Sequence, residues 1–321
     1  MASTTIVEVA KALGVAPSTV SRAFNRPHLL LPETVTRVRE VAAEMGYVPN
    51  RHARALSTGR ANAIGLVVPD ITNPFFPPIV RAAQQAAEER DMSVLVVETD
   101  NAPDRELRQI DQLRPQVEGI VLASSRLPED QLDQVVRRDR VVLVNRDHPG
   151  AARVLIGSGT ALREAVAHLA AGGARRLCYV GGPHRSWSEH ERRTAVLEAA
   201  GEHGLTVVTE RVESGTYGDA RAVAATLRPE DLDAVIAFDD VVAHAVVDGL
   251  AARGVTVPGD VRLVGCDDAL PIETHPRLST IRLPSAQGVR RAVELLLATD
   301  RTPLPESREL FDGTLCLRET T

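Results

Sequence analysis

From about residue 62 onward, short runs rich in Val, Ile and Leu alternate with longer amphipathic stretches, and this alternation constrains the fold more than any other feature. The runs AIGLVVPD (63–70), SVLVVETD (93–100), GIVLAS (119–124), VVLVN (141–145), LCYVGG (177–182), AVIAFDD (234–240) and VRLVGCDD (261–268) are apolar at successive positions. Continuous hydrophobicity of that length marks strands covered on both faces. The segments between them, 78–90, 104–114, 128–138, 160–171, 189–203, 218–227 and 241–253, carry a helical period. Strand–helix–strand repetition predicts an α/β fold of parallel sheets with helices on both sides. In such folds ligands bind outside the carboxyl ends of the strands, so the polar tips Asp70, Asn145, Asp239, Asp240, Asp267 and Asp268 mark a candidate site. Segments 63–97 and 177–208 share the order strand, irregular loop, long helix, turn, strand, which suggests two similar lobes.

The first 60 residues follow a different rule. Thr5-x-x-Glu8 is a capping box, and Ile6, Val9, Ala10 and Leu13 share one face of a helix over 6–13 that Gly14 closes. Pro17 can occupy the first turn of a second helix that runs through about Phe24, with Asn25 following. A third helix begins near Pro32-Glu33, turns Val35, Val38, Val41, Ala42 and Met45 inward, and ends at Gly46. Two short helices around a tight turn at Gly14-Val15 have the geometry of a helix-turn-helix. On these residues alone a small structural helical bundle remains the alternative. Charge separates the two regions: residues 1–60 hold eight basic and four acidic side chains, the remainder 29 and 39, although the whole chain is at −6. A basic head on an acidic body suits a nucleic-acid reader attached to a sensor.

Several function classes are disfavoured. The 321 residues exceed one ordinary core and predict more than one domain. Cys178, Cys266 and Cys316 are far apart with no metal-type spacing, which fits a reducing cytoplasm, and no apolar run suggests a signal peptide or membrane span. Asp239-Asp240 and Asp267-Asp268 could hold Mg²⁺, but neighbouring acids on a strand face opposite ways, and no phosphate loop, nucleophile elbow or zinc helix is present. No enzyme, metal or cofactor is expected.

The run TTIVEVAKALGVAPSTVSRAFN, followed by ETVTRVREVAAEMGYVPNRHARALSTGR, closely resembles the head and hinge of the lactose/galactose repressor (LacI/GalR) family. IGLVVPDITNPFF, VGGP with ERRTA, and VRLVGCDD with HPRLSTIRLP resemble its core, so the likeness spans essentially the whole chain. The resemblance implies a helix-turn-helix head (1–48), a hinge helix and linker (49–61) and a periplasmic-binding-protein-like core (62–321). The core would hold one lobe of 62–156 plus 286–300 and another of 157–285 plus 301–321. It further implies a cytoplasmic regulator, dimeric since no leucine-heptad tail is seen, that binds a palindromic operator under control of an effector, a sugar more than a nucleoside.

Carried over by motif, the DNA-binding residues are Thr5, Pro17, Ser18, Thr19, Arg22 and Asn25 in the head and Asn50, Arg51, Arg54 and Leu56 in the hinge, with Leu56 wedging into a minor groove. Pro17 has no side-chain donor, which shifts base reading to Ser18 and Arg22. Effector candidates are Asp70, Asn73, Phe75, Phe76, Asn145, Arg146, Trp187, Arg192, Asp239 and Asp267. Two departures from the family stand out: Ala16 and Leu31 replace capping serines, and Ile156-Gly157-Ser158-Gly159-Thr160 replaces an Asp-Asn pair near the lobe crossover. A sugar- or nucleoside-binding protein without specific DNA recognition is the competing reading.

Overall fold

The computed structural model describes residues 4–25, 27–47, 61–270 and 274–321. The chain divides into two compact units, Met1–Ala61 and Asn62–Thr321. The first unit contains α1 (Ile6–Leu13), α2 (Pro17–Asn25) and α3 (Pro32–Glu44). Thr5 and Glu8 close the capping box: the Thr5 amide donates to Glu8 Oε2 at 2.7 Å and the Glu8 amide to Thr5 Oγ1 at 3.4 Å. Gly14, at φ 68°, ends α1 in the left-handed conformation that a side chain would resist. No side chain caps α3 at Leu31, and Pro32 at its first position supplies the preorganised backbone instead. Val9, Ala10, Val20, Ala23, Val38 and Ala42 form the small core, with Val35 also buried.

The second unit has two sheets. The first runs in the order β11-β5-β4-β3-β1-β2, from β1 (Ala63–Val68), β2 (Ser93–Glu98), β3 (Ile120–Ala123), β4 (Val141–Val144), β5 (Ala152–Gly157) and β11 (Ser307–Asp312), all parallel. The second runs β7-β6-β8-β9, from β6 (Arg176–Gly181), β7 (Thr206–Arg211), β8 (Ala234–Ala237) and β9 (Arg262–Val264), again parallel. A short antiparallel pair, β10 (Thr280–Arg282) with β12 (Thr314–Cys316), completes the strands.

Helices cover both faces, as the apolar runs require. On β1, Ile64, Leu66 and Val68 face a core shared with α4 (Phe76–Glu88), while Val67 faces the other side with Ile110 of α5 (Pro103–Leu113) and Leu132 of α6 (Glu129–Arg138). In the second sheet α7 (Gly159–Ala171) and α8 (Trp187–Glu202) cover one face, and α9 (Tyr217–Thr226) and α10 (Asp240–Ala251) the other. The chain returns through α11 (Ser285–Leu297), which packs on α4, β4 and β5.

One part of the expected lobe division is corrected. Residues 307–312, expected with the second lobe, form β11 and pair with β5 from Ser307↔Ala152 to Asp312↔Gly157 in the first. The outer edge of β5 would otherwise expose unpaired backbone groups, and β11 satisfies them. The chain therefore passes between the lobes three times: after β5, between β10 and α11, and between β11 and β12. Two of these passages touch where the Gly313 amide donates to the Gly157 carbonyl at 2.8 Å. Among the described residues no helix is long and apolar enough to cross a membrane.

Candidate functional site

In each sheet the chain winds outward in two directions from its first strand. The loops after β1 and β3 leave on opposite faces, as do those after β6 and β8, so a crevice opens at the carboxyl ends of each pair. The two crevices face one another across a cleft lined by residues of both lobes. Asp70 and Asn73 follow β1, Arg126 follows β3, Ser186 follows β6, Asp239 follows β8 and Asp267 follows β9; all line the cleft.

Arg192, on α8 and 4% exposed, is the centre of the second-lobe wall. Its Nη2 donates to Asp267 Oδ1 at 2.9 Å, its Nη1 donates to the Phe238 carbonyl, and its plane lies 4.7 Å from the Phe238 ring centroid. Its buried Nε has no hydrogen-bond partner among the described residues. Removing one member of such a pair leaves an uncompensated charge, so Arg192 and Asp267 hold one another in place. Burial pushes the Asp267 carboxyl up to about 7; the Asp239 charge acts in the same sense, against Arg192. Asp267 also has φ 121°, a strained backbone for a residue with a side chain. Its amide is fixed by the Ile281 carbonyl at 2.8 Å.

Asp239 caps α10, accepting from the Val242 amide at 2.8 Å, and burial raises its pKa as well. Its second oxygen accepts from Asn73 Nδ2 at 3.0 Å, a direct bond from one lobe to the other. Asn73 is itself held by the Phe75 amide, which donates to its Oδ1 at 2.9 Å. Phe75 and Phe76 stand edge to face with centroids 5.2 Å apart and supply the apolar wall. Carboxylates, a forked guanidinium and an aromatic surface can together bind vicinal hydroxyls over a ring face.

Of the sequence candidates, Asp70, Asn73, Phe75, Phe76, Arg192, Asp239 and Asp267 meet in the cleft. Asn145, Arg146 and Trp187 do not line it. Asn145 spends its Oδ1 on the Ile156 amide at 2.8 Å, tying β4 to β5, one strand beyond the crevice. Arg146 turns toward α6, donating to the Leu127 carbonyl at 3.1 Å and Glu129 Oε1 at 2.7 Å. Trp187 opens α8 half-buried, while its neighbours Ser186 and Ser188 reach the cleft. The sequence reading missed Arg126, Asn101 and Ser124. The rule that picked Asp70 would have found Ser124, which directly follows β3, whereas Arg126 and Asn101 lie further into the loops after β3 and β2. Among the described residues no cluster of His, Cys, Asp or Glu could hold a metal ion.

In the head, Pro17, Ser18 and Arg22 are exposed on one side of α2, with Thr19 and Ser21 half-buried and Thr5 exposed at the start of α1. Asn25 ends α2. Asn50, Arg51, Arg54 and Leu56 lie outside the described residues.

Comparison with known proteins agrees with both units. The model of the lacI family of bacterial regulatory proteins matches residues 5–50, and that of a periplasmic binding protein-like domain matches residues 166–321. The HTH-type transcriptional regulator GalS of Salmonella typhimurium is 31% identical over 303 residues, 91% of this chain and 89% of its own. The ribose operon repressor of Bacillus subtilis is 30% identical over 322 residues, 99% and 98% of the two chains. Among solved structures, the lac repressor dimer bound to operator and the anti-inducer ONPF has a TM-score of 0.89 at 22% identity, covering 100% of this chain and 99% of its own, a likeness of fold. The complex of the transcriptional regulator CelR with cellobiose has a TM-score of 0.71 at 27% identity, covering 99% and 100%. With its helix-turn-helix unit, its two-lobed core and relatives matched nearly end to end, the chain belongs to the LacI family of bacterial regulatory proteins.

Proposed function

We propose that this protein is a sequence-specific transcriptional repressor whose operator affinity is set by a small molecule, a sugar in preference to a nucleoside, bound between the lobes of its core. The observation that carries this reading is the Asn73–Asp239 bond, which joins the two walls of a polar cleft in a chain that also has a DNA-reading fold. A ligand that bridges the same walls changes the relative stability of open and closed arrangements. The repressor acts in the cytoplasm as a homodimer on a palindromic operator. Ser18 and Arg22 read base edges, Thr5, Thr19 and Asn25 hold the DNA backbone, Pro17 shapes the start of the reading helix, and the segment 50–56 forms the hinge. Regulators of sugar genes among the relatives, and cellobiose in the CelR complex, support a sugar as effector.

Selection of binding sites from random DNA, followed by anisotropy titration with and without a sugar panel, tests the reading. A palindromic consensus bound by a dimer, with affinity altered by one sugar class, is expected. Equal affinity for selected and random DNA at all salt concentrations would leave a small-molecule binding protein instead.

A further inference from the structure

The cleft contains a second guanidinium that the polyol-reading set leaves unused. Arg126 is 7% exposed and lines the first-lobe wall. Its Nε donates to Asn101 Oδ1 at 3.2 Å and its Nη1 to the Ser124 carbonyl at 3.0 Å, both neutral acceptors. Glu106 is close by, but its Oε2 accepts from the Arg126 backbone amide at 2.8 Å, and among the described residues no hydrogen bond joins its carboxylate to the guanidinium. The contrast with the other buried arginines of the described residues is direct. Arg192 is answered by Asp267 at 2.9 Å, and Arg153 by Asp147 at 2.6 Å and Glu306 at 3.0 Å. Arg126 forms no ion pair among the described residues. A buried cation with no carboxylate in contact is costly, and burial brings its pKa down to about 10, against the favourable charge of Glu106.

The charges that act on Arg126 are those of Glu106, Arg146 and Glu213, whereas Asp239 and Asp267 feel Arg192. Glu213 is exposed and engaged by His184, and the residues after it, Ser214 and Gly215, present neutral groups to the cleft. The two groups that accept from the Arg126 guanidinium are neutral, whereas Arg192 is met by the carboxylate of Asp267 beside Asp239.

We propose that the effector is an acidic sugar, one carrying a carboxylate or a phosphate, whose oxyanion seats on Arg126 while its hydroxyls are read by Arg192, Asp239 and Asp267. This rests on the reading of the cleft as the effector site. A neutral sugar leaves Arg126 without its counter-ion, so the site discriminates against it by about 10- to 100-fold, the ratio that one charge-assisted hydrogen bond supplies.

The test is calorimetric titration of the full-length protein with matched trios: galactose, galacturonate and galactose 6-phosphate, and the corresponding glucose series. An acidic member is expected to bind about 10- to 100-fold more tightly than its neutral parent. A preference confined to the uronates or to the phosphates supports the proposal and identifies the oxyanion. Arg126→Gln is expected to erase the preference. Asn101→Asp, which keeps Arg126 and places a carboxylate beside its Nε, is expected to erase it too, with unliganded operator affinity unchanged in both variants as evidence of folding. Neutral sugars binding as tightly as acidic ones, or an acid preference that survives both substitutions, would overturn the assignment while leaving the cleft a sugar site. No binding of any member would overturn the sugar reading itself, and this inference with it.

Discussion

The bond between Asn73 Nδ2 and Asp239 Oδ2 gives a quantitative handle on lobe closure. Each partner also has a local duty: Asn73 accepts from the Phe75 amide and Asp239 from the Val242 amide at the start of α10. Those local bonds lie within single lobes and persist whether the cleft is open or closed, so they cancel from the closing equilibrium. Only the interlobe bond remains. An amide donating to a carboxylate contributes about 1.5–3 kcal/mol, and because Asn73 is half-buried, with water competing for it, the lower end applies. About 1.5 kcal/mol is roughly a tenfold shift toward the open form. Asn73→Ala, Asp239→Ala and the double substitution all remove the same bond and are expected to shift the equilibrium equally. Single-molecule energy transfer between dyes at Arg137→Cys on α6 and Arg228→Cys after α9, both largely exposed positions, reads the open fraction, with Cys316→Ser removing the half-buried thiol. If the double substitution shifts the equilibrium by twice the single effect, or if neither single substitution shifts it, the bond does not govern closure.

Three further outcomes follow from the site and its frame. Asp267 titrates near 7 in the unliganded core, and sugar hydroxyls donate to its ionised form. Effector affinity should therefore be flat above about pH 7.5 and fall by up to about tenfold per unit below pH 7, and Asp267→Asn should flatten the calorimetric profile; an unaltered profile would assign the titration to Asp239. Arg22→Ala should cost about 1–3 kcal/mol at one base pair per half-site in competition binding, whereas equal losses on specific and random DNA would make it a phosphate contact. Gly313→Ala places a Cβ 2.8 Å from both Ile281 Cγ2 and Leu283 Cδ2 at the crossover, and should lower core stability by roughly 1–3 kcal/mol in thermal melts; an unchanged melt would mean that the crossover yields freely.

What could be read from the sequence follows the strength of each local signal. β1, β3 and β4 are buried at every position, so their hydrophobicity is continuous and their positions legible. β11, SRELFD, alternates between half-buried and exposed residues because it lies at the sheet edge, and its partner β5 is far away in sequence, so neither composition nor proximity disclosed the pairing. In the site, Asp239 and Asp267 were legible because each ends an apolar run. Asn145 and Arg146 end a run just as well, and β4 is placed in its sheet as β9 is, one strand beyond the crevice, but Asn145 is spent on the Ile156 amide of β5 and Arg146 on Leu127 and Glu129, long-range bonds that local pattern does not disclose. Arg126 sits in a polar loop with no motif; its importance arises from burial without an ion-pair partner, which only the assembled fold creates.

The three passages between the lobes also dictate when the core can be completed during synthesis. The first lobe begins at β1, yet its covering helix α11 and its closing strand β11 are encoded after the whole of the second lobe. Until residues 285–312 leave the ribosome, β5 keeps a bare edge, and Val154 and Ile156 lack the helix whose Gly288 packs against them. The second lobe also waits, because the Leu263 amide of β9 donates to the Thr320 carbonyl at 2.7 Å, beyond β12. Neither lobe can fold to completion before residues 285–320 have emerged, and in that interval an apolar face and an open sheet edge are available to chaperones.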